Sequence, residues 1–208
     1  MPETKEVSLM PINQGEVLLT IARSAISEPL GKPVPNSIEI LPWLREKGAT
    51  FVTLTKNQEL RGCIGTLEAH QPLIADVKAN AFAAAFRDPR FFPLTENELD
   101  LIKVEVSLLS PMKPLQFSGE QDALSQLQSG IDGLVLEFGK YRSTFLPQVW
   151  EQLPEPSSFM AHLKHKAGLQ IDFWSNEIKL YRYTVSKWKE KDITNEAQVI
   201  ASGKEQQK

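Results

Sequence analysis

The run Leu60-Arg61-Gly62-Cys63-Ile64-Gly65 carries the most chemically suggestive residues of the chain. Strand alternation places Arg61, Cys63 and Gly65 on one face, and Leu60, Gly62, Ile64 and Thr66 on the other. Two glycines weaken a short strand unless something needs access to its backbone or an unusual conformation. Here they flank the single cysteine of the chain and leave it without bulky neighbours along the strand. Arg61 lies two residues away on the same face, and its fixed positive charge would favour a thiolate. A thiol placed in this way can act as a nucleophile or a redox centre. Cysteine is also among the most buried residue types and often packs as a small hydrophobe, so a structural role stands beside the chemical one. No glycine-rich dinucleotide or Walker loop is present.

A second cluster is Arg87-Asp88-Pro89-Arg90, followed by Phe91-Phe92-Pro93. Its guanidinium groups could grip a carboxylate or another acidic ligand. The simpler reading has Arg87 capping the end of a helix and Asp88 pairing with a neighbouring arginine, and the residues favour it slightly. His162 and His165 stand three apart on one predicted helix, a spacing that can serve one metal. However, they lack a carboxylate at a helical partner position, and Lys164 and Lys166 flank them. A solvated basic face fits better, and neither a metal nor a cofactor is expected. His70 is the histidine best placed to pair with Cys63, provided the chain turns back. Glu105 and Glu137 read as ordinary outward-facing strand residues.

These groups need elements to position them. Asn13, with Glu16 three residues on, reads as a capping box opening a helix through Leu18, Ile21, Ala22 and Ala25. Pro29, Gly31, Pro33 and Pro35 end it. Residues 51–56 and 60–67 read as strands joined through Asn57-Gln58-Glu59. Pro72 opens a helix to about Phe86 with an inner stripe of Leu73, Val77, Ala81, Ala84 and Ala85, whose alanines imply close approach to a sheet. Pro89 stops that helix and Pro93 stiffens the loop. Residues 101–110 alternate, with Ile102, Val104, Val106 and Leu108 facing one way. Residues 122–127 read as helical. Gly139-Lys140 suits a type II′ hairpin between 134–138 and 141–146. Pro147 starts a helix through Leu153, Ser157 caps another ending at Gly168, and residues 178–185 form a last strand.

Hairpins and helices in irregular order indicate an α+β fold with antiparallel sheets. Prolines near 111–114 and a loop near 168–176 bracket a smaller lobe inserted into a larger one that holds both ends of the domain. The expected boundaries are 13–110 plus 172–187 for the larger lobe, about 111–171 for the smaller, and a polar tail over 188–208. The 208 residues carry 23 Lys+Arg against 26 Asp+Glu, a net charge of −3. That balance argues against a dedicated nucleic-acid binder. No stretch is long and apolar enough for a membrane span, and no signal peptide is read at the N-terminus. One cysteine precludes an intramolecular disulfide. A cytoplasmic protein is expected.

The run at 60–65 resembles the hallmark of the AMMECR-domain family. Further segments agree in order: Phe86-Arg87-Asp88-Pro89-Arg90-Phe91, Glu105-Val106-Ser107-Leu108-Leu109-Ser110, Asp132-Gly133-Leu134, Thr144-Phe145-Leu146-Pro147-Gln148-Val149-Trp150, Lys166-Ala167-Gly168-Leu169 and Leu180-Tyr181-Arg182-Tyr183. The likeness spans roughly 13–187 and is similar to the prokaryotic form, protein A of the AmmeMemoRadiSam system. It implies two unequal α+β lobes, each with an antiparallel sheet and flanking helices, and an interlobe cleft faced by the hallmark strand. It also implies a Memo-like and a radical-SAM protein as partners and supplies no settled reaction. The expectation is therefore a binding component whose cleft takes an unknown ligand, with Arg61, Gly62, Gly65, Arg87, Asp88 and Arg90 as binding residues. The alternative is an enzyme that uses Cys63 as nucleophile or redox thiol.

Overall fold

The computed structural model describes residues 13–35 and 41–191. Helix α1 (Gln14–Ser27) opens at Asn13, whose side chain accepts a hydrogen bond from the Gly15 N–H. The expected reciprocal bond from Glu16 is not what caps it; Glu16 simply places a negative charge in the first turn. Strand β1 (Lys47–Gly48) precedes β2 (Thr50–Lys56) and β3 (Glu59–Gly65). Asn57 and Gln58 both have positive φ, 52° and 68°, so β2 and β3 meet through a two-residue turn, and Glu59 already belongs to the ladder. Strand β4 (Gln71–Pro72) leads into α2 (Leu73–Phe86). Then follow β5 (Ile102–Leu109), β6 (Lys113–Leu115), α3 (Glu120–Ser125), β7 (Gly133–Phe138), β8 (Tyr141–Phe145), α4 (Pro156–Lys166), β9 (Lys179–Tyr183) and β10 (Val185–Lys189).

The strands form a short antiparallel pair, β1 with β4, and two four-stranded sheets in the orders β10-β5-β2-β3 and β6-β9-β7-β8. In the second sheet β9 pairs antiparallel with both β6 and β7, and β7 with β8; β2 and β3 are likewise antiparallel. The α+β class expected from the residues is the class observed.

The chain divides into two compact units. Of the described residues, the first comprises 13–35, 41–66, 71–106 and 187–191; the second comprises 67–70 and 107–186. The return to the first unit thus falls at Lys187, not in the loop near 168–176, because β9 pairs with β7 in the second sheet. The single last strand expected over 178–185 is two strands in different sheets. Nor does a polar tail begin at 188. Gly15 leaves room for the Trp188 ring, which a Cβ would meet at 2.2 Å, and Glu190 pairs with Arg23. The remainder of the expected tail, 192–208, lies outside the described residues.

In the first unit α2 packs on β2, β3 and α1. Its predicted inner stripe is buried as expected, as are Val52 and Leu54 of β2 and Leu18 and Ile21 of α1. That stripe also buries Asp76 and Asn80. Asp76 Oδ2 accepts from the Thr50 N–H at 2.8 Å, Thr50 Oγ1 at 2.7 Å and Asn80 Nδ2 at 3.0 Å. Its Oδ1 accepts from Thr66 Oγ1 at 2.5 Å and Gln71 Nε2 at 3.2 Å. One buried carboxylate therefore ties together the start of β2 and both stems of the 67–70 excursion.

The clean alternation of β5 breaks where the strand passes from one unit to the other. Val106 and Ser107 are both buried, and Leu109 is buried in place of Leu108. In the second unit, Trp150 stacks on Phe159 at 3.8 Å and donates from Nε1 to the Asp132 carbonyl at 2.7 Å. Gly139 has the positive φ, 55°, that the predicted turn requires. Residues Pro147–Glu151 form a 3-10 turn in place of the predicted helix. Helix α4 starts one residue before Ser157, with Pro156 in its first turn, and Gly168 follows it at φ 86°. Lys164, expected on a solvated face, is 2% exposed and pairs with Glu120 at 2.8 Å.

Asp76→Ala should lower unfolding stability by about 3 kcal/mol, because it strips a buried acceptor from several donors at once. Urea titration tests this. A midpoint indistinguishable from wild type would show that the cluster does not hold β2 and β3 in place.

Candidate functional site

Strand β3 lies at the edge of its sheet. Its register against β2 shifts between Leu54 and Thr55: Leu54 pairs with Gly62 and Thr55 with Leu60, which leaves Arg61 as an extra residue. This bulge overturns the simple alternation. Leu60 leaves the core face occupied by Gly62 and Ile64, and is 44% exposed. Cys63 lies opposite Thr53, whose Oγ1 donates to Cys63 Sγ at 3.3 Å. The cysteine is free, and the residue is partly exposed.

Neither glycine leaves open backbone for a ligand. A Cβ on Gly62 would stand 2.2 Å from the Ala84 carbonyl oxygen of α2, and one on Gly65 would stand 2.2 Å from the Phe51 ring. Gly62 lets the helix backbone settle on the strand; Gly65 makes room for an aromatic ring. The chain's own groups fill both spaces.

The loop that follows α2 covers the edge of β3. Asp88 Oδ2 accepts from the Cys63 N–H at 2.9 Å. Arg90 Nη2 donates to the Cys63 carbonyl at 3.2 Å and to Asp88 Oδ2 at 2.7 Å, and Arg90 Nε donates to Asp88 Oδ1 at 2.9 Å. The pair thus supplies the acceptor and donor that a neighbouring strand would offer at this residue, one way proteins protect a sheet edge. The Asp88 side chain is 2% exposed, and that of Arg90 is 53% exposed. The hydrogen bond from Arg90 and that from the Cys63 N–H hold the Asp88 carboxyl well below the usual range, against the opposing effect of burial. Arg87 closes α2 through its own N–H to the Ala83 carbonyl, and its guanidinium lies 4.9 Å from the Phe82 ring centre.

Arg61 is committed elsewhere than to the thiol. Its Nε and Nη2 donate to the two Glu98 oxygens, each at 3.1 Å, and Nη2 also reaches the Phe92 carbonyl at 3.0 Å. Its Nη1 is buried without a hydrogen-bond partner. Lys56 adds a third cationic donor to Glu98 at 3.0 Å. The Arg61 hydrogen bonds above all, then Lys56 and the Thr95 N–H, push the Glu98 carboxyl down to about 2. Both Arg61 and Arg90 lie near the Phe91 ring, at 5.9 and 5.5 Å from its centre. Glu98 and Thr53 were not among the candidates read from sequence, because the bulge and the fold bring them to the site.

The other candidates lie elsewhere. His70 belongs to the second unit and its Nδ1 is 3.0 Å from the Glu68 carbonyl. His162 Nδ1 is 2.9 Å from the Ser158 carbonyl of its own helix. Glu137 pairs across the hairpin with Arg142 at 2.9 Å. Among the described residues, no group of three or more His, Cys, Asp or Glu side chains is placed to hold a metal ion, and no helix is long and apolar enough to cross a membrane.

Together, fold and site define an α+β protein of two compact units, with a glycine-flanked cysteine on an edge strand sealed by an Asp–Arg loop. The chain belongs to the AMMECR1 family, whose model matches residues 19–188. It is 38% identical to Protein MJ0810 of Methanocaldococcus jannaschii over 188 residues, covering 88% of this chain and 92% of that one. A protein of Methanothermobacter thermautotrophicus is 39% identical over 175 residues, covering 82% and 91%. The crystal structure of uncharacterized protein PH0010 from Pyrococcus horikoshii superposes with a TM-score of 0.71 at 35% identity, covering 85% of this chain and 91% of that one. The family resemblance drawn from the hallmark run therefore holds.

The Glu98 network sets a pH signature. Its folded carboxyl, at about 2, lies below the ordinary 4.5, so its stabilisation is complete above pH 4.5 and is lost as pH falls towards 2. Glu98→Gln should lessen the stability lost over that window, as read by urea midpoints across pH. An acid loss as steep as that of wild type would show that Glu98 is not a source of it.

Proposed function

We propose that this protein is a binding component that holds a partner protein on the Cys63 edge of its first unit. The observation that carries this reading is the commitment of the polar groups around Cys63 to one another. Asp88 and Arg90 satisfy the strand edge, and Arg61 forms a fork with Glu98. Leu60 and Phe92 meanwhile remain exposed. Such a surface is suited to recognition: its charged groups are fixed in place and its apolar groups are available. The resemblance to protein A of the AmmeMemoRadiSam system makes the Memo-like and radical-SAM proteins the first partners to test.

One observation favours a second reading. Cys63 is free and partly exposed, as a nucleophile or redox thiol must be. The two readings separate on a single residue.

Binding of the purified Memo-like and radical-SAM proteins should be measured by calorimetry. On the binding reading, Arg90→Ala weakens the complex by about tenfold or more, as expected for an anchoring residue. Cys63→Ser leaves the complex unchanged. Alkylation of Cys63 with a pH midpoint well below the free-thiol value of about 8.5, together with loss of system activity in Cys63→Ser, would replace the binding reading with the enzymatic one.

A further inference from the structure

Resting on the binding reading above, we infer that Phe92 is the anchor of that surface, and that it fits an apolar pocket bordered by carboxylates on a partner protein. Phe92 is 90% exposed, the most exposed large hydrophobic side chain among the described residues. The backbone that carries it is nonetheless pinned on every side. Its carbonyl accepts from Arg61 Nη2 at 3.0 Å, and the Phe91 N–H donates to the Asp88 carbonyl at 3.1 Å. Leu94, buried beside it, donates from its N–H to the Ala85 carbonyl at 2.8 Å. Pro89 and Pro93 restrict the chain further. Phe91 takes the half-buried position near the Arg61 and Arg90 guanidiniums, and Phe92 is left to solvent. A side chain on a pinned backbone has no main-chain freedom left to lose on docking, only that of its own two torsions, which suits an interface anchor.

Charge specifies the partner. Arg87 and Arg90 of the same loop are exposed, whereas Asp88, which pairs with Arg90, is buried. The loop therefore presents positive charge on a chain whose net charge is −3. A pocket rimmed with Asp or Glu side chains is complementary to it.

The test replaces Phe92 with the photo-crosslinker p-benzoylphenylalanine in the full chain within its own cells, with the same change at exposed Ile171 as control. The crosslinked protein is identified, purified and titrated against the wild-type chain, Phe92→Ala, Phe92→Trp and Arg87→Gln. The inference expects a partner crosslinked from position 92 and not from 171, attached at an apolar pocket flanked by acidic residues. Phe92→Ala should then raise Kd by about tenfold or more, while Phe92→Trp stays close to wild type. Arg87→Gln should reduce the salt dependence of binding. Crosslinks only to a second copy, no crosslink, or a Kd for Phe92→Ala within about twofold of wild type would overturn it. A partner that binds through Arg90 yet ignores Phe92 would overturn this inference alone. Failure of every partner protein to bind the wild-type chain would overturn the binding reading as well.

Discussion

A strand at the edge of a sheet must do something with its outward N–H and C=O groups, and that requirement organises the site. At Cys63 the two groups are met by one carboxylate and one guanidinium, both from the loop after α2. Asp88 can serve because Arg90 neutralises it and shares its other oxygen. A buried carboxylate without that cation would be costly there. The pair ties the loop to the strand at Cys63. Arg61 then lies within reach of the Phe92 carbonyl, Phe91 is directed inward and Phe92 outward. The two motifs that stand out in the sequence, 60–65 and 86–91, are the two sides of this one contact.

The same contact bears on chemistry at Cys63. A cysteine two residues from an arginine on an ideal strand would share a face with it and be drawn towards the thiolate. In the structure Glu98 takes the Arg61 guanidinium in a two-point grip. The Arg61 charge is thus matched locally by a carboxylate. What the thiol meets is the Thr53 hydroxyl. The residue itself is partly exposed.

Much of the framework was legible because it rests on local rules. The α2 stripe, the Gly139 turn, the first half of β5 and the helix stop at Gly168 all follow from spacing and backbone preference. What escaped depends on partners distant in sequence. A bulge is a property of two strands together, and nothing within 60–65 reveals that Leu54 and Thr55 will pair two apart. Glu98 lies 37 residues from Arg61, with no local pattern to join them. The Asp76 cluster did leave a signal: Asp76 and Asn80 fall three and seven residues after Leu73, on the same helical stripe as Val77, Ala81 and Ala84. Polar residues on an otherwise apolar stripe imply buried partners.

The pattern of β5 carries the same lesson further. Period-2 alternation records which face of a strand is covered, and it presumes one cover along the whole length. Strand β5 passes from the first unit to the second between Val106 and Ser107, and there the buried positions change parity. A serine that alternation assigns to solvent is buried, and a leucine assigned to the core is only half-buried. The break is therefore a mark of unit organisation, read along one strand. The boundary expected from prolines at 111–114 lies just beyond it, because prolines mark where a chain can turn, whereas the change of cover marks where its packing changes.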